Sequence, residues 1–282
     1  MKKTGVSAVF IVLGLAISGI LLGNCKKQQS GEAASVIIVN AATGGSPRPF
    51  TYVDENGKLV GHNIELIEAI FARLPQYKLV LEVTDFPSIF AGLDADRYQI
   101  GVNNFAINEE RKQKYLFSEP MFKNRYIAAV AVSGGSWGDE VRTMADLAGK
   151  TTLNSVGTNM ATAIENYNKA NPSALVKQSY GDANILVALQ QVEAGQYDFN
   201  LIDKPMFDFY VRDFGLKLRG IELGEALSGD VMQTPYSYFI VSKGNEKLVE
   251  DINKALAEVI SDGTSKRICE KYFGGDYSPE TR

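Results

Sequence analysis

Arg111 is the residue whose neighbours in sequence most invite chemistry. It lies in residues 98–120, YQIGVNNFAINEERKQKYLFSEP, after a strand-like start and an Asn103-Asn104 pair that reads as a turn. A guanidinium offers a planar fork of donors that matches a carboxylate bidentately. A cation just past a strand end also suits anion capture, because strand ends in α/β sheets open onto ligand clefts. Asn108, ahead of Glu109 and Glu110, reads as the cap of a short helix that carries Arg111. The competing reading is a solvated surface arginine paired with those glutamates.

Three further places could work with it. Gly157-Thr158-Asn159 follows a strand-like run and precedes a helix-like one, which places free N–H groups and the positive helix end where an anion could dock. Asp203 closes FNLID and precedes Lys204-Pro205. A carboxylate there either faces a cleft and holds an ammonium group or caps the next helix. Phe86, between the strand-like 79–83 and Pro87, is either an apolar wall for a ligand or core. Arg48, in GGSPRPF, either reaches a distal ligand group or is a solvated loop charge.

Other chemistries are poorly supplied. His62 is the chain's one histidine, which argues against a Ser-His-Asp triad and rules out a histidine-rich metal site. It reads as structural. No phosphate-cradling GxxxxGK[ST] and no GxGxxG is present, so no cofactor, metal or catalytic residue is expected. Trp137 reads as surface packing.

The elements that must position these residues can be read from periodicity. Residues 36–42 are an apolar, β-branched run, and DENG at 54–57 suits a hairpin or tight loop. Ile64, Ile67, Ile70, Phe71 and Leu74 fall at helical spacing before Pro75. Residues 79–83 and 98–102 read as strands, with a helix opened by Pro87 between them. Residues 126–132 read as a strand, after which the alternation restarts: strands at 151–156, 176–180, 199–202 and 237–241, helices at 160–167, 183–194, from Pro205, 246–260 and 265–272. Repeated strand–helix alternation predicts parallel sheets covered by helices, an α/β fold. The restart near Val130 and the return of strand character near Tyr238 predict two lobes joined by two crossings.

The chain has 282 residues and a net charge of −4, ordinary globular composition with no basic footprint for nucleic acid. Lys2 and Lys3 followed by the apolar run 6–22 read as an export signal over 1–24. LLGNC, 21–25, resembles the lipobox of bacterial lipoproteins, in which the cysteine becomes the lipidated N-terminus, although Asn24 departs from the usual Gly or Ala. An uncleaved membrane anchor is the alternative. Residues 25–35 read as a flexible tether. Cys269, the second of two cysteines, then has no disulfide partner and reads as a small buried hydrophobe.

Taken together, the chain resembles the solute-binding proteins of bacterial ABC importers for polar amino acids, the extracellular solute-binding protein family 3. PFTYVDENGKLVGHNIELIEAI resembles the family's opening, FPSIFAGLDADRY its second helix, and NNFAINEERKQKYLFSEP its most specific block. The resemblance implies a two-lobed periplasmic-binding-protein (Venus-flytrap) fold, each lobe a sheet flanked by helices. Residues 36–122 plus 238–275 would form lobe 1, 126–232 lobe 2, and 123–125 and 233–237 the hinge segments. It further implies that Arg111 binds the ligand's α-carboxylate, Asp203 holds the α-ammonium and Phe86 stacks on the ligand. Thr158 and Asn159 line the second-lobe helix start, and Asn104 and Ala106 the first-lobe turn.

Departures from the family pattern are Ala106, often Thr, Pro47 in place of an aromatic, and His62 and Glu65 where Phe and Asp are usual. The Asn-Asn pair and Gly-Thr-Asn resemble the cystine-type branch more than the glutamine type. The implied function is capture of a polar amino acid, cystine-like as a first expectation, by lobe closure and delivery to an ABC permease. The protein would sit in the periplasm or at the cell surface, lipid-anchored through Cys25. The alternative is a cyclohexadienyl dehydratase-like enzyme on the same fold, for which Glu65, Glu109 and Glu110 are the available acids.

Overall fold

The computed structural model describes residues 36–181 and 184–280. The expected signal (1–24), Cys25 and the tether (25–35) lie outside the described residues, as does Ala183, expected to begin a helix. In chain order the first elements are β1 (Ile37–Thr43), the hairpin β2 (Tyr52–Val53) and β3 (Leu59–Val60), α1 (His62–Phe71), β4 (Tyr77–Val83), α2 (Phe86–Asp94), β5 (Ile100–Phe105), α3 (Glu109–Lys114), β6 (Tyr115–Phe117) and β7 (Phe122–Lys123). Then come β8 (Tyr126–Ala131), β9 (Glu140–Val141), β10 (Thr151–Asn154), α4 (Asn159–Ala170), β11 (Lys177–Tyr180), α5 (Ile185–Glu193), β12 (Asn200–Asp203), α6 (Lys204–Phe214), β13 (Leu218–Leu223) and α7 (Glu225–Val231). The chain closes with β14 (Tyr236–Ser242), α8 (Glu246–Ser261) and α9 (Thr264–Phe273).

The first sheet runs β4-β1-β5-β14-β6, with β7 also paired to β14. β1 is parallel to β4 and β5, whereas β14 returns antiparallel to β5 and β6. Helix α8 shows why one side is covered: Leu248, Ile252, Ala255, Leu256 and Val259 are buried, the spacing of one helical stripe. Ile89, Leu93, Tyr98, Phe105 and Ile240 form a separate apolar cluster beneath α2. α1 starts at Gly61, whose φ of 129° lies in the region that favours glycine. A Cβ there would also meet the Phe50 carbonyl oxygen at 2.5 Å.

The second sheet runs β12-β8-β13-β9, and β10 and β11 form a parallel pair of their own. Here the expectation of parallel sheets fails: β8 lies antiparallel to both β12 and β13. β13 is one of the strands that periodicity did not reveal, and it supplies one of these pairings. The second core gathers Ala128, Val130, Ile164, Phe199, Leu201 and Ile221.

Two chain segments connect the sheets, and they run side by side. β7 pairs antiparallel with the start of β14, Lys123 opposite Tyr236 and Phe122 opposite Ser237. The Asn124 N–H donates to Pro235 O at 2.8 Å. Directly after this crossing Tyr126 lies opposite Asp203 in the β8–β12 register. That pairing brings the last residue of β12 to the hinge.

Candidate functional site

Arg111 sits on α3 as the sequence suggests, with Asn108 as the N-cap. The Asn108 side chain accepts from the Arg111 N–H at 2.8 Å. The surface-arginine reading fails. Arg111 is 8 % exposed, while Glu109 and Glu110 turn outward to Lys112 and Lys114. Its guanidinium stands 5.1 Å from the Phe90 ring centre and 5.8 Å from that of Phe105, close enough for cation–π attraction. Nη1 donates to Ala106 O at 2.9 Å, which fixes it to its own lobe. Nη2 donates to Gly157 O at 3.0 Å, and Nη1 also reaches Asn159 Oδ1 at 3.4 Å. Arg111 therefore bridges the end of β5 to the start of α4. Burial lowers its pKa to about 10, partly offset by Glu110, so it stays cationic at neutral pH. Among the described residues no carboxylate pairs with it.

The complementary ionisable group is Asp203, at the junction of β12 and α6. It holds the N-cap position of α6 yet makes no side-chain cap bond, so the capping alternative falls. Its Oδ1 instead accepts from the Arg125 N–H at 2.8 Å. The residue is 2 % exposed and, among the described residues, has no ion pair. Burial pushes its carboxyl up to about 8, against the opposing pull of the Arg125 and Lys204 main-chain donors. Neutral donors compensate only part of the cost of desolvating a carboxylate.

The remaining expected residues divide. Phe86 packs nearly parallel to Phe105 at 5.7 Å and edge-on to Phe90 at 5.3 Å, so it belongs to the aromatic wall around Arg111. Ala106 contributes its carbonyl. Asn159 accepts from Arg111, but the Thr158 hydroxyl is taken up locally. It accepts from the Ala161 N–H as the α4 cap and donates to Ser155 O at 3.0 Å. The first N–H groups of α4 remain without intrahelical partners, as at any helix start.

The expected Asn-Asn turn is not a turn, because both residues lie in β5. Strand alternation sends them to opposite faces. Asn103 ties the 44–46 loop, accepting from Thr43 Oγ1 and Gly44 N and donating to Ser46 O. Asn104 approaches Asn124 in the crossing, amide to amide at 2.9 Å. Arg48 lays its guanidinium 4.6 Å over the Tyr52 ring and donates to Val53 O.

Sequence reasoning missed Tyr126, Asn124 and Phe90. Burial raises the Tyr126 phenol pKa, the Asp203 charge raises it further and the Arg111 charge lowers it. The phenol therefore lies within the field of both charges. No local signal marks Tyr126, because only the β8–β12 register brings it there. Phe90 could have been found, being one helical turn from Phe86.

The arrangement is a buried guanidinium beside the first sheet and, in the second, a buried carboxyl held largely protonated at neutral pH, neither with a counter-ion among the described residues, beside an aromatic wall. It suits a small zwitterion. The amino-acid sequence matches the bacterial extracellular solute-binding proteins, family 3, over residues 39–275. The chain belongs to that family. The L-cystine-binding protein TcyA of Bacillus subtilis is 31 % identical over 289 residues, covering 99 % of this chain and 100 % of that one. TcyJ of the same organism, also an L-cystine-binding protein, is 26 % identical over 268 residues, 95 % and 96 % of the two chains.

Among solved structures, one concerns glutathione import via GshT and the cystine ABC importer TcyBC of Streptococcus mutans. It superposes with a TM-score of 0.78 at 31 % identity, covering 87 % of this chain and 98 % of that one. A putative L-cystine ABC transporter protein from Listeria monocytogenes gives 0.74 at 27 % identity, covering 88 % and 100 %. The fold is thus the two-lobed α/β architecture of amino-acid-binding proteins, with two hinge crossings. The protein is a solute-binding protein that captures an amino acid for an ABC permease, in the periplasm or at the cell surface. Its relatives are binding proteins, not enzymes. The three acids open to the enzyme alternative are engaged at the surface: Glu65 by Lys271 and Tyr272, Glu109 by Lys112, Glu110 by Lys114.

Proposed function

We propose that this solute-binding protein captures L-cystine between its lobes, using one zwitterionic end of the ligand. Arg111 receives the α-carboxylate together with the free N–H groups at the start of α4. Asp203 receives the α-ammonium, and the wall of Phe86, Phe90 and Phe105 packs along the ligand. The carrying observation is that Arg111 and Asp203 are a buried cation and a buried acid, neither with a counter-ion among the described residues, and an arriving ammonium would favour the ionised form of Asp203. A ligand bearing both charges relieves both costs at once, and only when the lobes meet. Its differential contacts then favour the closed form. Residues 36–122 plus 238–275 and residues 126–232 are the two moving bodies, with 123–125 and 233–237 as the hinge. The L-cystine-binding relatives support the choice of ligand over other amino acids.

Thermal unfolding is the test, run with each of the twenty amino acids, L-cystine and glutathione. A ligand at 100 times its Kd stabilises by about 2.7 kcal/mol, so the expected result is an upward shift in Tm with L-cystine and little with the rest. A shift with another amino acid and none with cystine overturns the ligand and keeps the clamp. No shift with any of them overturns both. We also propose lipid attachment at Cys25, which mass spectrometry of the mature N-terminus would show as a diacylglyceryl cysteine. An unmodified Met1 or Cys25 refutes it.

A further inference from the structure

The crossing segments carry buried polar groups that no strand pairing requires. Asn124 and Ser237 are both buried there, with Asn104 of lobe 1 and Asp203 of lobe 2 on either side. An amide's oxygen and nitrogen are told apart by their partners. With its oxygen toward Asn104 and Asp203, the Asn124 amide would set acceptor against acceptor at the Asp203 carboxylate. Its nitrogen would also face the Ser237 N–H, donor against donor. Turned over, Oδ1 accepts from Ser237 Oγ at 2.7 Å and from Ser237 N at 3.1 Å, and Nδ2 donates to Asp203 Oδ2 at 3.0 Å. Protonating Asp203 would cure the first conflict and leave the second, since a main-chain N–H cannot turn round. The Ser237 main chain, held in β14, therefore decides the orientation.

A consequence passes to Asn104. Its amide meets Asn124 Nδ2 at 2.9 Å, and Nδ2 is now a donor, so Asn104 must present its oxygen. The other end of the Asn104 amide is buried without a partner among the described residues. With the oxygen committed, that end is the NH2 group. We infer that Asn124 is a positioning residue of the hinge. It aims the Asp203 carboxylate and turns Asn104 so that Asn104 offers N–H donors to an acceptor oxygen of the ligand. This inference rests on the two-charge clamp proposed above and adds a rule of selectivity to it. At the Asn104 corner the ligand must carry an acceptor, a carboxylate or carbonyl oxygen, and not a donor.

The test compares wild type, Asn104→Asp, Asn124→Leu and Asn124→Ala by calorimetry with L-cystine from pH 5.5 to 9. In parallel, NMR follows the Asp203 carboxyl carbon in the ligand-free proteins. The other charged or titratable groups around Asp203 are Tyr126, Arg125, Lys204, Asp208 and Tyr277, with Arg111 across the cleft. All of them are kept in these variants. Asn104→Asp replaces a donor by an acceptor and is expected to weaken cystine at least 10-fold. Either Asn124 variant is expected to do the same and to move the Asp203 titration to higher pH, because the donor to Oδ2 is gone. A purely structural role would lower Tm and leave that titration in place. Wild-type affinity in Asn104→Asp, or an unmoved Asp203 titration in the Asn124 variants, overturns the inference. If wild type binds no cystine, the ligand reading fails by itself and the NMR titration still decides the role of Asn124. Should Asn124→Leu fail to fold, Asn124→Ala carries the same readout.

Discussion

Two buried polar clusters in this protein contrast sharply. At the cleft, Arg111 is a cation out of water and Asp203 an acid whose ionisation burial opposes, neither with a counter-ion among the described residues. At the start of α1, His62 is fully buried, with Nδ1 2.8 Å from Asn63 Oδ1 and Nε2 3.4 Å from Cys269 Sγ. Cys269 also nears the Ser278 hydroxyl, which donates to Ser265 Oγ. By residue type this second cluster is a thiol, an imidazole and an amide, the set that cysteine hydrolases use. Its environment makes it inert. Burial pushes the thiol up to about 11 and the imidazole down to about 4, so neither is charged at neutral pH and no thiolate forms. The closed cluster satisfies most of its polar atoms internally and is structural. The open one leaves a cation and an ionisable carboxyl for a ligand. Burial without compensation, more than residue type, separates site from core.

The comparison can be broken most directly at the clamp. Arg111→Ala and Asp203→Ala should each weaken cystine binding by about 3–5 kcal/mol, the usual cost of leaving one charge of a buried pair alone. Both should keep a cooperative unfolding transition. Calorimetry and denaturant unfolding check this, and retained affinity in both variants would remove the two residues from the site.

Acidity separates the clusters next. Asp203 has a folded pKa raised from 3.8 to about 8, so its contribution to stability is present at low pH and lost as pH rises toward 8. His62 has a folded pKa lowered from 6.5 to about 4. Its contribution is present above pH 6.5 and lost as pH falls toward 4. The two slopes oppose each other below pH 6.5, and only that of Asp203 remains between 6.5 and 8. Ligand-free protein should therefore lose stability over that upper window, by at most about 1.4 kcal/mol per pH unit. Asp203→Asn should flatten the loss. Urea titrations from pH 6.5 to 8 measure it, and equal slopes in the two proteins would contradict an unpaired Asp203.

The smallest expected effect belongs to the closed cluster. Cys269→Ala should cost about 1–3 kcal/mol of stability, for a lost polar contact and a small void, and leave cystine affinity unchanged. A change in affinity would mean that the two clusters are coupled.

How much could be read in advance follows the reach of the interactions involved. Helix starts were legible at Asn108 and Thr158 because capping is decided within three residues. The DENG hairpin was legible for the same reason: Asp54 accepts from Asn56 N and Lys58 N. Asp203 was ambiguous because a strand-end carboxylate before Pro205 looks like a cap. Its actual partner, Arg125, lies 78 residues away. Asn103 and Asn104 looked like one feature, and a single step of strand alternation made them two.

The amino-acid sequence by itself determined the alternation of strands and helices, the helix starts near Asn108 and Thr158, and the presence of one arginine and one aspartate at element ends. These are local choices, governed by side-chain period and by which groups can satisfy a terminus. Tertiary structure decided that Arg111 is buried, that Asp203 makes no capping bond and has no cation partner among the described residues, and that Tyr126 and Asn124 join them. Burial and register are set by strands that pair across the hinge. The free energy of a charge depends on what that pairing removes from water.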